Sequence, residues 1–212
     1  MQKTIYILGA GTYGEVVFEL ATAVGYSVKG FFDDDVNKVG KSVMDVPVLG
    51  RLEDILKSDI KNQEFAVAIG NNKVRAAIMQ QIIEREGILP QLIHPRASVC
   101  PSATVGKGVY IHNGAYVWTK ASIGDYSYIS PNTVIAHHTH IGKACLISTL
   151  CAVGASIDIG DYCMLGIGTN VITGVKKIGS NVITGAGSVV IRDMPDNVVV
   201  VGAPARILKN NC

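Results

Sequence analysis

The sequence predicts a chain of two parts, an α/β domain over residues 1–90 and a β-solenoid over residues 91–212. Two observations predict this division. In the first part, apolar strands alternate with amphipathic helices around a glycine-rich turn. In the second part, an aliphatic residue recurs at every sixth position, a period that neither an α-helix nor a hairpin strand has.

Composition and charge exclude several classes of protein. The formal charge is +2, from 19 basic and 17 acidic residues, and no basic cluster occurs, so neither a nucleic acid nor an anionic membrane is an expected partner. No apolar run approaches the roughly 18 residues that a bilayer span needs, and the apolar start is too short for a signal peptide. The five cysteines form no CxxC pair, which predicts reduced thiols and a cytoplasmic protein: Cys100, Cys145, Cys151, Cys163 and Cys212.

The first element of the α/β domain is a strand, predicted over Ile5–Leu8 and followed by the glycine turn "GAGTYG" at residues 9–14. Apolar spacing predicts a helix over Glu15–Val24, and a second strand over Ser27–Phe32 runs into three aspartates. A GxGxxG turn lets the backbone approach a diphosphate, and an acidic strand end can bind a ribose or base edge. NAD, another nucleotide and a purely structural turn all remain compatible with this pattern, and the aspartates could form a solvated turn.

Further along, Phe65–Ile69 is predicted as a third strand, and "VRAAIMQQIIEREG" as a helix that Gly87 ends. The segment "GNN", which begins at Gly70, follows the third strand. Open α/β sheets bind ligands at the carboxyl ends of their strands, so this segment is expected to face the same crevice as the glycine turn. The elements together predict a small Rossmann-like domain. Its candidate nucleotide contacts are Gly11, Thr12, Tyr13, Asp33, Asp34, Gly70 and Asn71.

The six-residue repeat begins at Val99 and continues for thirteen consecutive positions. Such a period fits a short strand plus a corner, so three segments close one triangular coil of 18 residues, and the coils pair as parallel strands ~4.8 Å apart. The aliphatic residues are predicted to stack inward, with a small or branched residue inward four positions later. Three cysteines fall on these inward positions, which favours a structural role for them: Cys145, Cys151 and Cys163.

The segments "GAGTYG", "FFDD", "AIGNNKVR" and "LIHPRA", followed by the hexapeptide repeat, resemble the NeuD/PglD-type bacterial sugar acyltransferases. The likeness covers essentially the whole chain. It implies a left-handed parallel β-helix that binds acetyl-CoA, a front domain that binds a sugar nucleotide, and a homotrimer with active sites between subunits. It also implies N-acetylation of a nucleotide-linked 4-amino-4,6-dideoxy sugar for O-antigen or glycan precursors, with no metal.

The resemblance places the family's catalytic histidine on His137, within "IAHHTHIG". His138 stands where relatives carry the carboxylate that orients this base, and Tyr13 stands where relatives carry a histidine near the diphosphate. A histidine that titrates near ~6.5 can accept an amine proton at neutral pH. His138 could be a helper, a substrate contact or a surface residue, and His140 is expected at the surface.

The repeat places further candidates. His137 follows the inward Ile135 by two positions and is therefore expected at a corner, with Ala155 at the same corner one coil later. The backbone N–H of Ala155 is the expected oxyanion donor, as at the matching place in the family. Ile167 and Gly185, again 18 positions apart, match the family's contacts to the pantetheine arm, and Arg206 in the tail "VGAPARILKN" is expected near the CoA phosphates.

Three other functions compete with N-acetylation. An O-acetyltransferase acting on sialic acid or another hexose is the nearest, and a non-enzymatic nucleotide-binding scaffold is more remote. The third is a zinc hydratase of the γ-type carbonic anhydrase class, which the histidine trio suggests. However, three zinc ligands taken from H-H-x-H on one flat coil would have poor tetrahedral geometry.

Overall fold

A computed structural model describes residues 3–211 of the chain. Its contacts divide the chain into two compact units, Met1–Leu92 and Ile93–Cys212. No helix within residues 3–211 combines the length and the apolar character that crossing a membrane requires.

The first unit contains a five-stranded sheet with the order β3-β4-β2-β1-β5. The strand β1 pairs in parallel with β2 and β5, and β2 pairs in parallel with β4, so the carboxyl ends of these strands lie at one edge of the sheet. The elements are β1 (Thr4–Leu8), α1 (Thr12–Ala23), β2 (Ser27–Phe32), β3 (Ser42–Val43), β4 (Val46–Gly50), α2 (Leu52–Lys57), β5 (Phe65–Val67) and α3 (Asn72–Glu84).

The predicted α/β pattern is confirmed, with shifts at the ends of elements. The helix α1 begins at Thr12 and not at Glu15, because Gly11 adopts the extended backbone of an N-cap. The hairpin β3–β4 and the short helix α2 were not predicted, since their sequences are mostly polar and carry weak periodicity.

The end of α3 differs from the prediction by one residue. The left-handed residue is Glu86 (φ 60°), and the Gly87 N–H donates to the Ile82 carbonyl at 2.9 Å. This is the Schellman arrangement, in which the second residue after the cap makes the long bond. Gly87 is needed for space, because a Cβ there would lie 2.6 Å from the Ile82 side chain.

The second unit is built from three sheets of stacked parallel strands, which confirms the predicted coil. Strand partners such as Val117 and Ile135 are 18 residues apart. Most strands contain two residues: β6 (Leu92–Ile93), β7 (Ser98–Val99), β8 (Thr104–Val105), β9 (Tyr110–Ile111), β10 (Tyr116–Val117), β11 (Ser122–Ile123), β12 (Tyr128–Ile129), β13 (Val134–Ile135), β14 (His140–Ile141), β15 (Leu146–Ile147), β16 (Ala152–Val153), β17 (Asp158–Ile159), β18 (Met164–Leu165), β19 (Asn170–Val171), β20 (Lys177–Ile178), β21 (Ile183–Thr184) and β22 (Val189–Val190). A hairpin of β23 (Val198–Val201) and β24 (Arg206–Asn210) follows.

The core of the β-helix is the inward stack that the repeat predicts. The aliphatic residues from Val117 to Ile178 that continue the six-residue series are at most 3% exposed. Cys145, Cys151 and Cys163 are buried, and burial raises the pKa of the Cys151 thiol. The four cysteines among the described residues are free thiols, whereas Cys212 lies outside the described residues.

Each corner of the β-helix contains one residue with left-handed backbone, a feature that the sequence did not predict. These residues recur every six positions from Gly108 to Gly174, with φ between 52° and 109°. The eight that are not glycine are Lys120, Tyr126, Asn132, His138, Ala144, Leu150, Ser156 and Tyr162. Because their side chains share no chemistry, the geometry of the corner imposes this conformation.

Candidate functional site

The glycine turn joins β1 to α1 at the carboxyl edge of the sheet. Gly9 has φ 108°, and a Cβ on it would lie 2.7 Å from the Ala68 carbonyl oxygen. Gly11 begins α1 without a side-chain cap, and its carbonyl accepts a hydrogen bond from the Gly14 N–H at 2.7 Å. Thr12 is exposed in the first turn. The first N–H groups of a helix can hold an anion, so this turn is suited to a phosphate.

The two predicted aspartates bind the chain's own backbone. Asp33 Oδ2 accepts hydrogen bonds from the Ala10 N–H at 2.7 Å and from Lys38 Nζ at 3.0 Å. Burial alone would raise the pKa of Asp33, but the hydrogen bonds from Asp35 N–H, Ala10 N–H and Lys38 outweigh it and lower the pKa. Asp34 is exposed, and its Oδ1 accepts from the N–H of Leu52, at the start of α2. The aspartates therefore hold the turn and a neighbouring helix in place.

Gly70 and Asn71 lie between β5 and α3. Asn71 is the N-cap of α3, because its side-chain oxygen accepts from the N–H groups of Lys73 and Val74 at 3.0 and 3.1 Å. Gly70 is exposed, and a Cβ on it would contact nothing within 4 Å.

Arg75 is a buried charged residue that the sequence analysis missed. It is 0% exposed, and its Nη1 donates to the carbonyls of Ile69 and Gly70 at 3.2 and 3.4 Å. Burial raises the pKa of Tyr13, and the nearby Arg75 guanidinium opposes this rise. Arg75 could have been found from its spacing, since it shares the buried stripe of α3 with Ile78, Met79 and Ile82.

In the second unit, His137 and His138 form one corner of the β-helix, as predicted for His137. Both side chains are exposed, and their Nδ1 atoms lie 3.1 Å apart, within hydrogen-bond distance. The two rings meet edge to face, with centroids 5.2 Å apart at 87°. Trp118 stacks against His137 with centroids 6.2 Å apart and an angle of 26° between the planes. Trp118 was also missed, because its contact arises one coil before His137.

His140 is separate from this pair. It lies on β14 and is exposed, and its Nδ1 is 2.5 Å from the Ser122 hydroxyl on the preceding coil. Within residues 3–211, no three His, Cys, Asp or Glu side chains are grouped so that they could hold a metal ion. The histidine trio in the sequence is therefore a pair and a single residue.

Ala155 lies one coil after His137, next to Ser156, whose N–H donates to the His137 carbonyl at 3.1 Å. The N–H of Ala155 is 3.4 Å from Thr173 Oγ1 on the following coil. This distance exceeds the usual N–H···O range, so the N–H is weakly engaged and remains able to donate to another acceptor. Thr173 was not predicted.

The positions expected for the pantetheine arm need one correction. Leu165 pairs with Thr184, an offset of 19 residues, because one extra residue lies between β19 and β20. The residue one coil after Ile167 is therefore Ala186, and Gly185 instead follows Gly166. Ile167 is 58% exposed, and Gly185 needs to be small, because a Cβ there would lie 2.8 Å from the Val201 side chain.

Arg206 begins β24 and is exposed. It lines a cavity of about 240 Å³ beside the C-terminal hairpin. The other residues that line this cavity are Arg192, Asp193, Met194, Pro195, Ala205 and Ile207.

Comparison with known proteins identifies relatives of both units. Residues 4–82 match the PglD N-terminal domain family. The chain is 33% identical to PerB from Caulobacter crescentus, solved in complex with CoA and GDP-perosamine, with a TM-score of 0.89 over 99% of both chains. It is 31% identical to the acetyltransferase domain of PglB from Neisseria gonorrhoeae, with a TM-score of 0.90 over 97% of this chain and 100% of that one.

Curated sequences agree with this result. The chain is 29% identical over 203 residues to the GDP-perosamine N-acetyltransferase of Escherichia coli O157:H7, covering 93% of this chain and 82% of that protein. It spans shorter shares of other curated relatives, 24% of mimivirus protein L142, 26% of a yeast relative, and 51% of the UDP-N-acetylbacillosamine N-acetyltransferase of Bacillus subtilis.

The predicted fold class, a small Rossmann-like domain followed by a left-handed parallel β-helix, is confirmed by these structures. Full-length identity above 30% and a shared order of domains also indicate common descent. The chain therefore belongs to the PglD/NeuD-type family of nucleotide-sugar acyltransferases.

Proposed function

We propose that this protein transfers an acetyl group from acetyl-CoA to the amino group of a nucleotide-linked amino-dideoxy sugar. The observation that carries the proposal is the full-length likeness to PerB, whose structure contains CoA and GDP-perosamine. The exposed imidazole of His137, at a corner of the β-helix, agrees with this reaction, which needs a base and no covalent nucleophile.

His137 is the proposed general base. Its Nε2 accepts a proton as the substrate amine forms the N–C bond to the thioester carbonyl. The N–H of Ala155 donates to the oxygen that becomes negatively charged, which requires release of its long contact with Thr173. The C–S bond then breaks, and His137 returns the proton to the departing sulfur, so the products are the N-acetyl sugar nucleotide and CoA.

For the sugar nucleotide, we propose binding at the carboxyl edge of the first unit's sheet. The N–H groups at Gly11 and Thr12 are available to a diphosphate, as the uncapped start of α1 suggests. Tyr13 lies beside this turn. Asp34, whose side chain is exposed, could reach a ribose or base edge, while Asp33 and Asn71 act by holding the turn and α3. Gly70 leaves space at the same edge.

For acetyl-CoA, we propose that Ile167 and Gly185 contact the pantetheine arm and that Arg206 pairs with a phosphate. Exposed apolar residues on the β-helix, such as Leu150 at 59% and Ile167 at 58%, support a homotrimer in which neighbouring subunits cover them. Acetyl-CoA and the free thiols favour the cytoplasm as the place of reaction. Sedimentation of the pure protein tests the trimer, since a monomer at micromolar concentration would contradict it.

The activity is tested by incubating the protein with acetyl-CoA and a panel of UDP-, dTDP- and GDP-linked amino sugars while the release of thiol is followed. Turnover with at least one amine is expected. Turnover only with sialic acid or another hexose hydroxyl would replace the proposal with O-acetylation, and binding without any turnover would favour a scaffold.

The base is tested separately. His137→Ala should lower kcat by about 10²–10⁴, the usual contribution of a general base. His140→Ala is the matched control, because it removes an exposed histidine of the same coil that contacts only Ser122 among the printed side-chain bonds of its ring. Equal turnover in both variants would contradict the assignment of His137.

A further inference from the structure

We infer that His138 is a positioning residue that fixes the tautomer of His137: its Nδ1 accepts the proton of His137 Nδ1, which leaves His137 Nε2 free to accept a proton from the substrate. The inference rests on the proposed function for its catalytic meaning. The family resemblance expects a carboxylate at this position, so an imidazole must do the same work by different chemistry.

The geometry leaves two hydrogen arrangements for the pair. The Nδ1 atoms of His137 and His138 are 3.1 Å apart, so one ring donates and the other accepts. If His138 donated, the neutral His137 ring would carry its proton on Nε2 and could not act there as a base. Only the arrangement in which His137 donates leaves the lone pair on Nε2.

The corner holds both rings in this arrangement. His138 has left-handed backbone (φ 58°), and its N–H donates to the Thr119 carbonyl at 3.1 Å. The His137 carbonyl accepts from Ser156 at 3.1 Å, so the corner is tied to the coils before and after it. Trp118 covers one face of the His137 ring, while His138 meets the ring edge to face.

The left-handed corner makes a clean series of variants possible. In His138→Asn the amide Oδ1 takes the place of Nδ1, since both atoms are the same number of bonds from the backbone, and asparagine tolerates left-handed backbone. His138→Asp keeps an acceptor and adds a charge. His138→Ala removes the acceptor, and Ala144 already occupies an equivalent corner of this chain with φ 52°.

The first readout does not need activity. In protein labelled with ¹⁵N at the histidine rings, long-range ¹H–¹⁵N spectra identify which ring nitrogen carries the proton, and His137→Ala assigns the signals. We expect neutral His137 to carry its proton on Nδ1 in the wild type and in His138→Asn. In His138→Ala, we expect the proton to move toward Nε2, the form that a free imidazole favours. A wild-type His137 with its proton on Nε2 would overturn the inference.

The second readout is kinetic. His138→Ala should lower kcat by about 10-fold or more, part of what a general base contributes, with both KM values within about twofold of the wild type. His138→Asn should restore most of this loss, and His140→Asn should change little. Equal kcat in the Ala and Asn variants would contradict a positioning role. If no amine is acetylated, the proposed function fails, while the tautomer measurement still decides the inference.

Discussion

Removing the Asp33 carboxylate should destabilise the first unit much more than removing its exposed neighbour Asp35. Asp33→Ala leaves the N–H of Ala10 without its acceptor, and Ala10 is only 5% exposed, so the loss costs about 1–3 kcal/mol. The N–H of Asp35 is exposed and can bond to water instead, and the partly exposed ion pair with Lys38 contributes about 0–1 kcal/mol. The expected total is about 2–4 kcal/mol.

Two spectroscopic signals separate the units. The three helices of the described residues all lie in the first unit, so the circular dichroism at 222 nm follows its unfolding in urea. The single tryptophan, Trp118, lies in the second unit, so its fluorescence follows the β-helix. Asp33→Ala should shift the helical transition and leave the tryptophan transition unchanged.

Asp35→Ala is the matched control. Asp35 accepts from the backbone and side chain of Asn37 at 3.0 Å, and both residues are exposed. Its removal should cost no more than about 1 kcal/mol. If the two variants lost equal stability, the argument that a buried N–H depends on Asp33 would be refuted.

Three other results are expected. The stability that Asp33 provides should be present above pH ~3.9 and disappear as the pH falls through its lowered folded-state pKa, so urea midpoints of the wild type and Asp33→Ala should converge in acid and stay apart at pH 7. Leu165→Ala, at a side chain that is 0% exposed, should cost the β-helix about 2–5 kcal/mol by tryptophan fluorescence, whereas Met164→Ala, 38% exposed on the same strand, should cost about 1 kcal/mol or less; equal losses would contradict the inward stack. Because Trp118 contacts His137, saturating sugar nucleotide should change its emission, and an unchanged spectrum would argue against substrate beside that ring.

Much of the β-helix could be predicted because burial repeats with the period of the sequence. Inward positions such as Ile135 and Cys151 are buried at the positions where the six-residue series places them. The left-handed corners could not be predicted, since residues as different as Tyr126 and Leu150 adopt them. Their conformation follows from closing a coil, and local preference does not specify it.

The candidate site was only partly predictable for a similar reason. The corner position of His137 followed from its distance to Ile135, but its contact with His138 depends on side-chain directions that no spacing reveals. Arg75 was hidden because charged residues are seldom fully buried, so its place on an apolar stripe was not taken as a signal.

The constant rise of the coils makes the β-helix a ruler. Each coil adds ~4.8 Å along the axis, so the distance from the His137 corner to the C-terminal hairpin is set by a whole number of coils. The single extra residue between β19 and β20 bulges at one corner and leaves every later strand in register. Loop length at corners is therefore free to vary, whereas deleting one complete coil would shift the corner against a cosubstrate of fixed length. We expect such a deletion to preserve the fold and abolish the transfer.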